Sequence, residues 1–158
     1  MPQSVFDRIL EFLDQNKVSY TWFEHPPVHT SQEAAAIRGT KMAQGAKALV
    51  MLADKKPIMI VVPGDRRADL KQFKLQFKFK DVAMATPEQV FELTGVQIGA
   101  VPPTGNLFGL PLYVDSHLGE NETIAFNAGD HAKSVEMKYV DYVQVAHPIL
   151  GEFSLKLN

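Results

Sequence analysis

Two apolar runs joined by a charged turn constrain this chain more than any other feature in it. Ala46 to Ala53 reads AKALVMLA and Ile58 to Pro63 reads IMIVVP, with Asp54-Lys55-Lys56 between them. Unbroken apolarity over the length of a strand marks a strand covered on both faces. The pair therefore predicts two central strands of a sheet with material packed on each side. Lys47 is the single charge in the first run. An ammonium taken out of water without a partner is costly, so Lys47 must snorkel from the strand end, pair with an internal carboxylate, or wait for an anion that is not part of the protein.

Around this pair the pattern alternates between helix and strand. Ser4 with Asp7 opens an amphipathic helix whose Phe6, Ile9, Leu10 and Leu13 share a face. Val18 to Glu24 is rich in β-formers, and Pro26-Pro27 ends it. Thr30 and Glu33 form a capping box before AAAIR, which Gly39 stops. Leu70, Phe73 and Phe77 define the apolar face of a further helix. Thr86-Pro87-Glu88-Gln89 begins another that Gly95 closes. Val96 to Pro103 reads as a loop or short strand. Leu112–Asp115, Thr123–Asn127 and Ser134–Lys138 read as strands, the last two around a turn, and Tyr139–Ala146 as a closing helix. Strands outnumber the helical crossovers that parallel pairing needs. The expected fold is α+β: a mixed, largely antiparallel sheet with surrounding helices, in one domain over residues 1–158.

Composition removes several function classes. There is no cysteine among the 158 residues, which excludes disulfides, thiolate metal sites and a cysteine nucleophile. The net charge of −2 argues against indiscriminate polyanion binding but leaves room for a local basic face. The opening MPQSVFDRILEFLDQN is amphipathic and acidic, unlike a signal peptide, and no apolar run reaches membrane-spanning length. The expectation is a soluble cytoplasmic protein without a membrane partner. His25 and His29 have helical ligand spacing, but Pro26-Pro27 between them forbids a shared helical face, so no metal site is expected. His117 follows a strand and is ambiguous, and His147, before Pro148, is expected in solvent. There is no G-x-S-x-G elbow, phosphate-binding glycine loop or H-E-x-x-H. A chain this poor in nucleophiles is either a binding module or acts on a bond already activated.

Four stretches carry candidate chemistry, each beside a plainer reading. Lys47 is the first. In GVQIGAVPP, Gly99 lets backbone approach a ligand and Pro102-Pro103 stiffens the end of the segment, so N–H groups there can point at a carbonyl oxygen; the plain reading is an ordinary turn. Asn127 to Ser134, NAGDHAKS, is a hairpin turn on local grounds, or a pocket rim carrying His131 or Ser134. KQFKLQFKFK is a solvated amphipathic helix, or one whose Lys71, Lys74 and Lys78 meet nucleic-acid phosphates.

Taken in order, EHPPVHTSQEAA, GAKALV, FKFKDVAMATPEQVFELTGVQIGAVPP and FNAGDHAKSVEMK resemble the YbaK/ProX family of aminoacyl-tRNA editing domains, across nearly the whole chain. The resemblance implies a sheet curled into a barrel-like core, and a free-standing, trans-acting deacylase. Such an enzyme hydrolyses the ester between a wrongly attached small amino acid and the 3′-terminal adenosine of tRNA, without a cofactor. It implies catalytic roles for Lys47, holding the terminal phosphate or ribose, and for Gly99, whose neighbouring N–H groups polarise the ester carbonyl while the substrate's ribose hydroxyl helps the attacking water. Substrate-binding positions by the same resemblance are Ala100, Val101, Pro102, Gly129 and His131, with His25, Thr30 and Ser134 lining the pocket. The implied partners are the tRNA acceptor end and an aminoacyl-tRNA synthetase. A module of the same fold that binds a tRNA end or nucleotide without hydrolysis is the alternative.

Overall fold

A computed structural model describes residues 3–157. In chain order the elements are α1 (Val5–Gln15), β1 (Tyr20–Glu24), α2 (Ser31–Arg38), β2 (Ala46–Ala53), β3 (Lys56–Pro63), β4 (Arg66–Ala68), α3 (Leu70–Phe77), β5 (Val82–Met84), α4 (Pro87–Thr94), β6 (Leu112–Asp115), β7 (Thr123–Asn127), β8 (Lys133–Lys138), α5 (Tyr139–Ala146), β9 (Ile149–Gly151) and β10 (Ser154–Lys156). The two apolar runs form the β2–β3 hairpin, in register from Ala46 opposite Pro63 to Ala53 opposite Lys56. Its turn places Asp54 and Lys55 at positive φ, the mirror-image geometry that matches the twist of paired strands. The Asp54 carboxylate accepts from the N–H groups of Lys80 and Asp81, which ties the turn to the segment entering β5.

The hairpin is central to a five-stranded sheet of order β5-β2-β3-β6-β9. Antiparallel pairs hold its β5 side, and β6 and β9 run parallel to β3. Alternation along β3 divides the interior in two. Met59 and Val61 join a core with Ile9 and Leu13 of α1 and Phe126 and Val135 of β7 and β8. Ile58, Ile60 and Val62 face the other way, into a cluster with Phe73, Tyr113 and Phe153. Each buried side chain of this size contributes about 1.5–3 kcal/mol relative to exposure, which is why the run tolerates no polar residue beyond its ends. A three-stranded antiparallel sheet, β1-β8-β7, covers the first core, and β10 pairs with β4 beside the second.

The mixed, mainly antiparallel α+β architecture is as expected; the barrel-like core is not found. Among the described residues the strands lie in three separate sheets, none closed on itself, and a lone parallel bridge from Gly45 to Ala125 connects the head of β2 to β7. Closure would need continuous pairing along that seam. No helix among the described residues is long and apolar enough to cross a membrane.

His117 finds a structural partner. The Asp115 side chain is fully buried at the end of β6. One oxygen accepts from the His117 N–H and imidazole Nδ1, at 2.9 and 2.7 Å, and the other from the Phe153 N–H at 2.8 Å. Burial alone would raise its pKa, but these hydrogen bonds outweigh it and hold the carboxyl below its usual value. The group's stabilisation is therefore complete above the ordinary carboxylate range and lost as pH falls through the lowered folded value. Asp115→Ala should lower stability by about 2–3 kcal/mol, read as a shifted denaturant midpoint at constant slope. Asp115→Asn should flatten the acid limb of stability against pH. His147 caps α5 in an exposed, left-handed conformation, facing solvent as expected.

Candidate active site

The site arises because β2 is incompletely paired. β3 covers its inner edge throughout, whereas β5 joins its outer edge only from Met51 to Ala53. The outer edge of Ala46 to Leu49 is left open to a cleft of about 340 Å³, so residues from both faces of the strand line it. Helix α2 forms the opposite wall through Ala34, Ala35 and Arg38, and the loop after α4 contributes Ile98, Gly99 and Val101.

Lys47 lines this cleft. Its Nζ donates to the Arg66 carbonyl at 3.1 Å. Among the described residues no carboxylate lies within 4.0 Å of it. Burial lowers its pKa, and the more distant Asp65 charge offsets this only in part. The ammonium is thus held by one neutral backbone acceptor and retains unused donors. Of the three readings that the sequence left open, an intimate internal ion pair is removed.

The Gly95–Pro103 segment is a loop, with Gly99 at φ +86°. Its Ala100 N–H is spent on the Gln97 carbonyl, whereas the exposed Gly99 N–H has no partner among the described residues. Three contacts from the β7–β8 region fix the loop. Asn127 Nδ2 donates to the Gly99 carbonyl at 2.9 Å, His131 Nε2 donates to the Ile98 carbonyl at 3.1 Å, and the Gly129 N–H donates to the Ala100 carbonyl at 2.8 Å. The His131 ring also packs at 4.7 Å from that of His29, which lines the cleft.

The residues singled out from sequence separate into two layers. Lys47, Gly99, Val101 and Thr30 line the cleft, although the Thr30 hydroxyl is occupied in capping α2, where it accepts from the Glu33 N–H. Ala100 and Pro102, though in the same loop, are buried and do not line the cleft, and Gly129 is packed so closely on α1 that an added Cβ would lie 2.9 Å from Val5. Ser134 is fully buried and bonded to His25 Nε2 at 2.7 Å and to Arg38 Nε at 2.9 Å. His25 Nδ1 faces the Pro26 carbonyl at 2.8 Å, so it carries the proton and leaves Nε2 to accept from the Ser134 hydroxyl. His25 and His29 therefore point to different partners. Lys71 and Lys74 lie on α3, which packs Phe73 into the second core, whereas Lys78, expected on the same helix, is instead its left-handed C-cap at φ +61°; none of the three lines the cleft.

The family described as aminoacyl-tRNA editing domain matches residues 25–145, which include every residue lining the cleft. The chain belongs to the aminoacyl-tRNA editing domain family. This editing domain is 35% identical over 151 residues to the multifunctional Ser/Thr-tRNA deacylase ProXp-y of Escherichia coli (strain K12), covering 92% of this chain and 90% of that one. It is 33% identical over 132 residues to the proline–tRNA ligase of Solidesulfovibrio magneticus, covering 77% of this chain but only 23% of the ligase. A crystal structure described as a candidate trans-editing enzyme for prolyl-tRNA synthetase superposes with a TM-score of 0.84 at 25% identity, over the whole of both chains.

Arg38 and Asn127 line the editing domain's cleft as well, although neither is assigned a role there from sequence. Arg38 ends α2 and donates through Nη2 to Asn127 Oδ1 at 3.0 Å, so that Arg38, Asn127 and the Gly99 carbonyl form one chain. The available signal was Arg38 standing alone after AAAI, with no acid at helical spacing on its own face.

Proposed function

We propose that the cleft receives the 3′ end of a mischarged tRNA and that the protein is a trans-acting aminoacyl-tRNA deacylase. One observation carries this reading: among the described residues, Lys47, free of any close carboxylate, and Gly99, whose N–H is unpartnered, line one cleft in which no Asp or Glu takes part. A cleft with that electrostatics suits an anionic, carbonyl-bearing ligand. Lys47 orients the ribose end of the ester, and the Gly99 N–H stabilises negative charge developing on the carbonyl oxygen. Water adds to the carbonyl carbon, the bond to the ribose oxygen breaks, and that oxygen takes a proton. The products are the free amino acid and tRNA with its terminal hydroxyl restored. The ester is activated and a neighbouring ribose hydroxyl assists the water, so no protein nucleophile is required.

The amino acid removed is small. Ala34, Ala35, Ala46 and Ala48 keep the walls close to the backbone, and the similar ProXp-y is named for serine and threonine, both small. A synthetase partner belongs to the same reading, because a proline–tRNA ligase carries a similar segment within its longer chain. The reaction sites the protein where charged tRNA is, in the cytoplasm.

The test is release of labelled amino acid from a panel of mischarged tRNAs. Turnover of at least one small amino acid is expected; tight, salt-sensitive tRNA binding without turnover would identify a binding module instead. Equal turnover of short aminoacyl-adenosine esters and intact tRNA would identify a small-ester hydrolase. Lys71 and Lys74 of α3 and its C-cap Lys78 meet tRNA phosphates outside the cleft. Reversing Lys71, Lys74 and Lys78 together to Glu should raise KM for intact tRNA by on the order of tenfold at low salt and leave the minimal ester unchanged. An unchanged KM for tRNA would make that face merely solvated.

A further inference from the structure

Arg38 has the features of a preformed oxyanion receptor. Its guanidinium lines the cleft and is largely buried, and burial draws its pKa down to about 10, with the Glu136 charge opposing the shift. It remains cationic at neutral pH. No carboxylate among the described residues lies within 4.0 Å of it, so Glu136 is a distant counter-charge and not an ion-pair partner. Two neutral groups hold the guanidinium in place: Nε donates to Ser134 Oγ and Nη2 to Asn127 Oδ1. Ser134 is itself fixed from behind by His25. The third nitrogen, Nη1, has no protein acceptor among the described residues and lies at the head of β2, where an added Cβ on Gly45 would sit 3.8 Å away. Gly45 is two residues before Lys47, and Arg38 and Lys47 both line the cleft.

A guanidinium braced by neutral acceptors and left short of one partner is costly in the free protein and inexpensive to complete with an anion. With Nε and Nη2 held by their braces, the planar group aims Nη1 in a fixed direction at a phosphate oxygen, whereas an ammonium acts as a point charge. We propose that Arg38 is a substrate-binding residue that receives the phosphate on the 5′ side of the terminal adenosine, leaving Lys47 for the ribose and ester. This rests on the deacylase reading for the identity of the ligand, but not for the phosphate specificity of the site. The chain from Arg38 through Asn127 to the Gly99 carbonyl then places the phosphate and the reacting carbonyl against one connected frame. Ser134 and His25 are positioning residues that act through Arg38.

The test compares binding of adenosine 5′-monophosphate with that of adenosine, by calorimetry, in wild type, Arg38→Gln and Arg38→Lys. Wild type should prefer the phosphorylated probe by about tenfold, from one charge-assisted contact. Arg38→Gln should bind the two probes equally while retaining wild-type affinity for adenosine, which reports an intact cleft. Arg38→Lys keeps the charge without the braced planar group, and should keep only part of the preference. Wild-type preference retained in either variant, or no preference in wild type, overturns the proposal. If Arg38→Gln does not fold, Arg38→Lys decides alone, full retention again overturning it. The two readings fail separately. Loss of phosphate preference in a protein that deacylates no tRNA upholds the receptor and removes the deacylase. Active deacylation with an Arg38→Gln KM for tRNA and a nucleotide preference both unchanged does the reverse.

Discussion

Lys47→Ala should lower kcat/KM for a mischarged tRNA by a hundredfold or more while leaving the protein folded. The two halves of this expectation have the same cause. Folding has already removed much of the water around the ammonium, as its lowered pKa records, and among the described residues gives back only the Arg66 carbonyl and a remote Asp65 charge. Deleting the side chain relieves that desolvation and costs one hydrogen bond, so stability should change by no more than about 1 kcal/mol in either direction. The substrate loses a charge-assisted contact inside a cleft, where such contacts are strongest. The role also has a pH signature. Because the folded pKa is lowered, the ammonium deprotonates at a lower pH than a free lysine, and activity should decline on the alkaline side through that lowered value. Lys47→Arg keeps the charge and should shift this limb upward even if its longer, planar head group reduces the maximal rate. Wild-type release by Lys47→Ala would remove Lys47 from the reaction. A variant that unfolds would return the residue to a purely structural role.

What the sequence disclosed and what it hid differ by the range of the interactions involved. The β2–β3 hairpin was legible because its apolar runs are continuous and its turn is charged. The capping box Thr30–Glu33, being contained within four residues, forms as written, and the helix start at Thr86 to Gln89 forms with a second capping box. The three-residue strands β4, β5, β9 and β10 were not legible. Their residues show little alternation, Ile149, Leu150 and Leu155 stay exposed, and each strand exists because a neighbouring edge offers it hydrogen bonds. The expected barrel failed for a related reason, since sheet closure depends on a seam between β2 and β7 that no local pattern encodes. In the site, Lys47 could be read from the conflict between its charge and its apolar neighbours. Arg38 could not, because its braces are Ser134 and Asn127, 96 and 89 residues away. His25 and Ser134, 109 residues apart, look like pocket residues in a one-dimensional reading; folding places them one layer behind, on Arg38.

Gly99→Val should reduce kcat by on the order of a hundredfold, the scale of losing one oxyanion donor, and leave KM nearly unchanged. At φ +86° the Gly99 backbone lies where a side chain costs about 1–2 kcal/mol, and β-branching raises that further. Space is restricted as well, because an added Cβ would lie 3.2 Å from His131 Nε2, the atom that holds the Ile98 carbonyl. The loop can escape by rotating its peptide or by displacing His131, and either response re-aims the Gly99 N–H. The strain is confined to a loop whose neighbours Ala100 to Pro103 are buried and whose end is anchored by the Tyr142 hydroxyl on the Pro103 carbonyl, so the global fold should survive. Arg38 and Lys47 are untouched, so nucleotide binding should persist in a protein that turns over slowly. A double-mutant cycle separates the two costs. In Gly99→Ala the clash with His131 adds to the backbone strain, and combining it with His131→Ala removes the clash but not the strain. The paired variant should therefore lose less than the sum of the single effects. Strict additivity would mean that the ring does not constrain the loop, and a Gly99→Val enzyme with the wild-type kcat would mean that this N–H takes no part in the reaction.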